Sequence, residues 1–459
     1  GTTNLDVVDI DGALTQDGGA VFNEANADVD FRIESDVNTH SFFLEGSTGN
    51  VMFGGSTFDN GNFSGDANGI NVFDATHPIV LIKETTSNNT FEMGLTTAAA
   101  FLATQDAIPM KFATTDTVVF ELAADGAPST PTLGTSNVRL GVNAGNSITS
   151  GGNYNVVVGD EAGTAITTGD NNVALGFEAL KTEDTSGSAT AIGYQALRVQ
   201  NSGGSNSHNS AVGAGAGTSI TTGNQNTIFG SAAADALTDA DFNVAMGYNA
   251  LSSDTLGSKS TAIGTDTLAA QNFTTATDSF NTAVGFQTGN DITTGLQNTI
   301  IGALAGASLT DADFNVAVGV AALDADTLGS RNTAIGYAAL TDQNFTTATN
   351  SYNVGVGFYA GTDITTGIYN TLVGSLAGDA LTEGQQNVAM GYQALSADTK
   401  GKLSVAIGNN ALASQNFTTL TNAMNVAVGY DAGTSVTTAV ENVLIGATAG
   451  DALTTGGLN

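Results

Sequence analysis

Few side chains in this sequence are of the kinds that do chemistry, and their spacing decides what they can do. Only three histidines occur, His40, His77 and His208, and cysteine is absent. A zinc site needs converging nitrogen or sulfur ligands, so these scattered residues read as ordinary exposed or core histidines. The carboxylates Asp239, Asp241, Asp311 and Asp313 recur in L-T-D-A-D-F-N segments. Oxygen ligands suit Ca²⁺, which is the one ion left open, but Asp at fixed positions is also what a repeated turn asks for, and the turn is the simpler reading. Asp9-Ile10-Asp11-Gly12 begins like a calcium loop and lacks its remaining ligands. Gly213-Ala214-Gly215-Ala216-Gly217 has the look of a phosphate loop without the required lysine. Glycoside hydrolysis would need two carboxylates roughly 5–10 Å apart beside a sugar groove. Here the carboxylates recur as repeat elements, and Trp is absent. No catalytic residue, metal ligand or cofactor site is predicted. The remaining candidates are Phe273, Phe345 and Phe417, in loops whose rings either face a receptor or cap the coil edge or pack on an adjacent chain.

What must position these residues is a repeat. From residue 137 onward an N-x-A-x-G core returns eighteen times, and four cores make a 72-residue superperiod: Gly141, Gly213, Gly285, Gly357 and Gly429 are each 72 apart. From Gly213 the spacings within a superperiod are 17, 17, 17 and 21. A fixed short period signals a solenoid in which each unit contacts mainly its neighbours. The expected architecture is all-β: a parallel β-roll or β-solenoid of 17 to 21-residue coils over 136–459, homotrimeric, preceded by β-rich modules at 1–60 and 61–135. At about 4.8 Å per step, seventeen steps give a shaft on the order of 80 Å long.

Composition narrows the function classes. The 459 residues carry 10 Lys and Arg against 44 Asp and Glu, a formal charge of −34. The cationic stripe that neutralises phosphates is missing, which argues against nucleic acid. No run of 18 apolar residues exists, so no membrane-inserted helix is expected. Acidic excess instead keeps a long β-surface soluble. The chain opens on Gly1 and ends on Asn459, where the next core would start, and is expected to be a window from a longer polypeptide.

Within a coil such as Asn281 to Gln297, the expected parts are a short strand, a Gly corner, a second strand (Ile292-Thr293-Thr294-Gly295) and a return. Strand side chains alternate faces, so residues one and three after the Asn share a face and residue two points the other way. The third is bulky and apolar (Val284, Ile301, Val318, Ile335) and the second is Ala or a larger aliphatic (Ala283, Ile300). A strand apolar on both faces must be covered on both. One face is the coil's interior; the other is assigned to identical chains, the small Ala residues allowing close approach about an axis, with three copies expected. The second strand should send one Ile inward and leave its Thr hydroxyls in water.

The Asn slot opening each core suits a side-chain ladder. It is filled by Asn137, Asn155, Asn172, Asn209, Asn226, Asn243, Asn281, Asn298, Asn315, Asn332, Asn353, Asn370, Asn387, Asn425 and Asn442, and by Ala189, Ser260 and Ser404 elsewhere. Every fourth coil carries an insertion, as at Gln271-Asn272-Phe273-Thr274-Thr275, and these loops should align on one edge. Residues 1–135 do not keep the meter. They contain alternating segments such as Val29–Glu34, Ser41–Glu45, Pro78–Ile82 and Thr117–Leu122, expected as β-rich knobs or an interlaced prism.

The cores Asn332-Thr333-Ala334-Ile335-Gly336-Tyr337 and Asn243-Val244-Ala245-Met246-Gly247-Tyr248 resemble the N-x-A-I-G repeats of trimeric autotransporter adhesin heads. That resemblance implies a left-handed parallel β-roll in a three-chain bundle over 137–459. Val29–Gly55 and Met110–Gly134 are similar to strand modules of marine bacteriophage tail fibres, which precede the same kind of repeat. The coils here are longer than the adhesin repeat, and no adhesin stalk or membrane anchor lies within these residues. Together these imply a non-enzymatic viral tail fibre, on the virion tail outside the cell, contacting other tail proteins and a host-surface receptor. A bacterial adhesin head, and below it a polysaccharide-degrading tail spike, are the alternatives. In a bacterial virus the Asn-Phe-Thr glycosylation triplets at 272, 344 and 416 read as coincidental.

Overall fold

The computed structural model describes residues 133–458 continuously and, before them, ten short strands between Phe31 and Ser129. Val138–Leu140 is the first of eighteen three-residue strands and Val443–Ile445 the last; they form one parallel sheet in chain order. Each strand pairs in register with the next, as in Thr299↔Val316, Ile300↔Ala317 and Ile301↔Val318. No helix occurs among the described residues. The expected all-β parallel solenoid is therefore the fold of this part of the chain.

Residues 1–128 form a separate compact unit. In it Phe31–Ile33, Phe42–Leu44, Val51–Phe53 and Ile70–Val72 make one sheet, which joins residues on both sides of position 60. Ile79–Lys83, Thr90–Leu95 and Ala100–Thr104 make an antiparallel second, and Met110–Thr114 pairs antiparallel with Thr117–Leu122.

A coil closes in 17 residues because four of them are left-handed. In the coil opening at Asn298 these are Gly302 (φ 129°), Leu304 (58°), Gly306 (52°) and Phe314 (60°). A positive φ costs a non-glycine residue about 1–2 kcal/mol. What offsets it is that all four corners still donate their N–H groups between coils. Gly302 N–H reaches Val284 O at 2.8 Å, Leu304 reaches Phe286 O at 3.0 Å, Gly306 reaches Ala322 O at 2.9 Å, and Phe314 reaches Leu296 O at 3.0 Å. The same conformation in every coil carries the hydrogen-bond ladder around the bends, leaving the buried backbone paired. At Gly302 space is as strict as φ: a Cβ there would lie 2.5 Å from Gly319 O.

The strand's second residue faces the coil's own interior. Ala245, Ala262, Ala283, Ile300 and Ala317 are all fully buried, whereas third-position residues such as Leu175, Phe229, Met246, Ile301 and Met390 are exposed. The expectation that Ala lines the face between copies is corrected. Alternation told that the two faces differ; it did not tell which one points in, and the narrow coil has room inside only for the smaller set.

Inside, bulk is exchanged between two positions with a four-coil period. Leu251 and Leu268, eight after their slots, are accompanied three residues on by Asp254 and Gln271. In the next two coils Gly289 and Gly306 are accompanied by Ile292 and Leu309. A Cβ on Gly306 would stand 2.8 Å from Leu309 Cδ1 and 3.1 Å from Ile300 Cδ1, so the glycine makes room for its partner's bulk. This exchange is the physical content of the 72-residue superperiod.

The predicted second strand is also corrected. Ile166, Ile220, Ile292 and Ile364 do point inward and are buried, but the Thr residues after them form bends, not a strand. Their N–H groups converge on one carbonyl of the next coil, as Thr221 and Gly223 on Thr238 O at 2.9 and 3.3 Å, and the Thr221 hydroxyl donates to the same oxygen at 3.2 Å. Paired segments appear here only beside the insertions, Gly257–Ser258 with Thr277–Asp278, Gly329–Ser330 with Thr349–Asn350 and Gly401–Lys402 with Thr421–Asn422.

Deleting residues 299–370, one whole superperiod of 72, rejoins Asn298 to an equivalent coil, and the thermal midpoint is expected to stay within a few degrees of the parent's. Deleting 299–332, two coils, strips Gln343 of its Asp326 partner and is expected to destabilise by about 3 kcal/mol or more, read as a lowered midpoint by circular dichroism.

Candidate functional site

The structure places the expected ladder in the coil interior, with the Asn residues buried. Each Asn accepts the next slot's N–H on its Oδ1: Asn298 N–H donates to Asn281 Oδ1 at 2.9 Å and Asn315 N–H to Asn298 Oδ1 at 2.9 Å. Except at Asn332, where it turns to Asn315 Oδ1, the Nδ2 donates to a carbonyl at the far side of its own coil, Ala312 O at 2.8 Å for Asn298. One side chain thus ties the strand to the return segment and the coil to its successor. Ala189, Ser260 and Ser404 receive the bond through N–H but have no amide to pass it on. A Gln joins the ladder in every insertion coil, including the one whose slot keeps Asn332: Asn209, Asn281, Asn353 and Asn425 donate Nδ2 to Gln200, Gln271, Gln343 and Gln415 Oε1 at 2.8, 2.9, 2.8 and 2.8 Å.

These Gln residues lead to a feature that reading the sequence missed. Each donates Nε2 to a buried carboxylate one coil back: Gln200 to Glu183, Gln271 to Asp254, Gln343 to Asp326 and Gln415 to Asp398. Asp254 also accepts N–H bonds from Gly257 at 3.0 Å and Phe273 at 3.1 Å. Burial pushes the Asp326 and Asp398 carboxyls above the ordinary carboxylate range, against the pull of those bonds. The visible signal was an acid eleven residues after a slot with Gln 17 residues later, in the coil that carries the insertion.

Phe273, Phe345 and Phe417 are buried, at 5%, 6% and 6% exposure. Their N–H groups bind the buried Asp, and a Cβ on Gly257 would stand 2.7 Å from Phe273 Cδ2, so that ring fills the space the glycine leaves. The expectation that these rings face a receptor is corrected: an apolar ring beside a vacant Cβ position packs inward. The loops expose Asn272, Asn344 and Asn416 instead.

The remaining chemical candidates are occupied by the fold. Asp241 and Asp313 accept the N–H of Asn224 and Leu296 one coil back at 2.7 and 2.8 Å, and Asp239 and Asp311 accept the hydroxyls of Thr222 and Thr294. Gly213 is a corner, and a Cβ there would lie 2.3 Å from Gly230 O. His208 is exposed in a left-handed turn. His40, His77 and the Asp9–Gly12 segment lie outside the described residues. Among the described residues no group of three His, Cys, Asp or Glu is placed to hold a metal ion, and no helix is long and apolar enough to cross a membrane.

What the geometry leaves open is a surface. The outward sheet face presents Thr, Val or, at Ser210, Ser one after each slot and an aliphatic, Met or Phe three after it, and its edges carry exposed aromatics. Rings stack along these edges, Phe177 on Tyr194 and Tyr352 on Tyr369, each with centroids 5.5 Å apart. The arrangement defines a parallel β-solenoid with one uncovered apolar side. The chain matches no protein-family model, no curated protein and no solved structure.

Truncating Asn298 to Ala leaves Asn315 N–H and Ala312 C=O buried without that side chain, and a loss of about 1–3 kcal/mol for each is expected in chemical denaturation. Acid has the opposite sign. Burial, with the Asp363 charge adding to it, pushes Asp379 from 3.8 up to about 6. Its protonated form is favoured by folding, so that stabilisation is complete below pH 3.8 and lost as pH rises through about 6. Glu178, held below the usual range by the Lys181 hydrogen bond, works the other way and weakens the fold once pH falls below 4.5. The calorimetric midpoint is therefore expected to rise from pH 7 to about pH 5, with a smaller rise in Asp379→Asn.

Proposed function

We propose that this chain is the shaft of a trimeric, non-enzymatic viral tail fibre, a stiff spacer that carries a host-receptor-binding tip away from the virion. The observation that carries it is the outward face of the eighteen-stranded sheet, apolar and uncovered in a single chain. Parallel sheets are stable when both faces are covered. Identical chains bring a matching periodic surface along the full length, which a smaller partner does not. Strands three residues wide over eighteen rungs present roughly 800 Å² per copy, the scale of one side of a stable interface, before the edges are counted.

The mechanical role is supported by the ladder. Every corner repeats its conformation, the Asn side chains tie coil to coil, and the repeated carboxylates Asp241, Asp313, Asp254, Asp326 and Asp398 are engaged by backbone N–H groups and Gln amides. The acidic surface keeps such a fibre from sticking to its neighbours laterally. The N-x-A-x-G likeness to adhesin heads keeps a bacterial surface adhesin as the second reading, which a signal peptide upstream and a membrane β-barrel downstream in the complete gene would favour.

Sedimentation equilibrium of the chain at 0.15 M salt is expected to return three times the monomer mass, and a surface-active dye is expected to bind it poorly. A stable monomer with the sheet face in water would overturn the reading.

A further inference from the structure

The last three insertions carry one triplet, Asn272-Phe273-Thr274, Asn344-Phe345-Thr346 and Asn416-Phe417-Thr418, at steps of 72 residues. On sequence alone it reads as coincidental; its placement in the fold argues otherwise. In each copy the Asn and the Thr are exposed, on a segment that is neither helix nor strand, while the Phe between them is buried. Among residues 133–458 no other Asn has Ser or Thr two positions on, and the earliest insertion reads Asn201-Ser202-Gly203 instead.

Duplication of the coil does not by itself keep the triplet. Exposed neighbours in the same loops have diverged, Asp278 to Asn350 and Asn422, and Phe280 to Tyr352 and Met424. The fold accounts for half of each Asn: its Oδ1 accepts the hydroxyl of Thr255, Thr327 or Thr399 one coil back, at 3.1, 3.2 and 3.2 Å. The other half is idle. The slot Asn residues tie down their Nδ2, as Asn298 does to Ala312 O at 2.8 Å, but the Nδ2 of Asn272, Asn344 and Asn416 donates to no group among the described residues. The hydroxyls of Thr274, Thr346 and Thr418 have no hydrogen-bond partner there either. An exposed loop offering a free Asn amide with a free Thr hydroxyl two residues on is the acceptor of asparagine-linked sugar.

We propose that Asn272, Asn344 and Asn416 are glycosylation sites, modified on Nδ2 from a nucleotide- or lipid-diphosphate sugar by a transferase of the cell that makes the chain. The bond from Nδ2 to the sugar's anomeric carbon forms, that carbon's bond to the diphosphate oxygen breaks, and one amide proton is released. The order of events follows from the Phe. Phe273 is 5% exposed and its N–H is held by Asp254 Oδ1 at 3.1 Å, so an enzyme gripping Asn272 and Thr274 together has to act before this coil closes. Once it has closed, the amide and its sugar stay outside, at intervals of four coils, about 19 Å. None of this depends on how copies of the chain associate.

In the full-length chain isolated from its natural source, peptides holding Asn272, Asn344 and Asn416 are expected to carry sugar mass by mass spectrometry, and the peptide holding Asn201 none. Sites are read peptide by peptide because Asn62 and Asn88, outside the described residues, also open such triplets. Unmodified Asn at all three positions would overturn the proposal. The full-length chain co-expressed in bacteria with a soluble asparagine glycosyltransferase that uses UDP-glucose is expected to gain a hexose at each site, and Asn272→Gln to lose one of them. Its circular dichroism spectrum should match that of the bare chain. Loss of the folded spectrum on glycosylation would show that the loops have no room for sugar and sink the assignment. Equal labelling when the enzyme is added to the already folded chain would overturn the order of events.

Discussion

Everything in the solenoid depends on one constraint: each coil must bend where the coil before it bends, so that backbone N–H and C=O groups meet along the whole perimeter. Three-residue strands alone would leave most of a 17-residue turn unpaired. The four left-handed positions close the turn, and their hydrogen bonds between coils repay the strain that residues such as Leu304 and Phe314 accept. The glycine corners are fixed by φ and by the next coil's carbonyl at once, so they cannot drift in position along the chain.

The core is then a problem of area. A coil this thin has room for about one aliphatic side chain per turn beside its Ala residues, and it places that chain at one of two positions. Where the bulk sits eight after the slot, the place three residues on is left for Asp or Gln. That polar vacancy is where the buried Asp254–Gln271 pair and its counterparts sit, where the insertion begins, and where Gln accepts from the next slot's Asn. Packing, polar satisfaction and the inserted loop share one period because they share one cause.

Much of this was legible. The spacing of the cores, the glycine corners, the inward Ile of Ile-Thr-Thr-Gly and the Asn ladder all follow from residue types repeated at fixed intervals, because each is a local demand that one residue answers. Which strand face points inward was not legible, since alternation carries parity without direction; interior width decided it for Ala. Phe273, Phe345 and Phe417 looked like loop decoration because their partner, the vacant Cβ of Gly257 in the first case, lies sixteen residues away in sequence. The second strand failed because Thr was weighed by propensity, while the corner beside it turns the N–H groups of the segment onto a single carbonyl of the next rung instead of a ladder.

The interchain-independent bonds of the solenoid point along its long axis, and this settles how it bears load. Pulled end to end, the bonds within one rung share the force, while successive rungs carry it in series, so stretch accumulates over the whole length and rupture starts at the poorest rung. Ala189, Ser260 and Ser404, whose side chains pass no amide bond to the following rung, mark those places. They stand four and eight coils apart rather than side by side, which confines a tear to one joint and leaves the segments on either side intact to close it again.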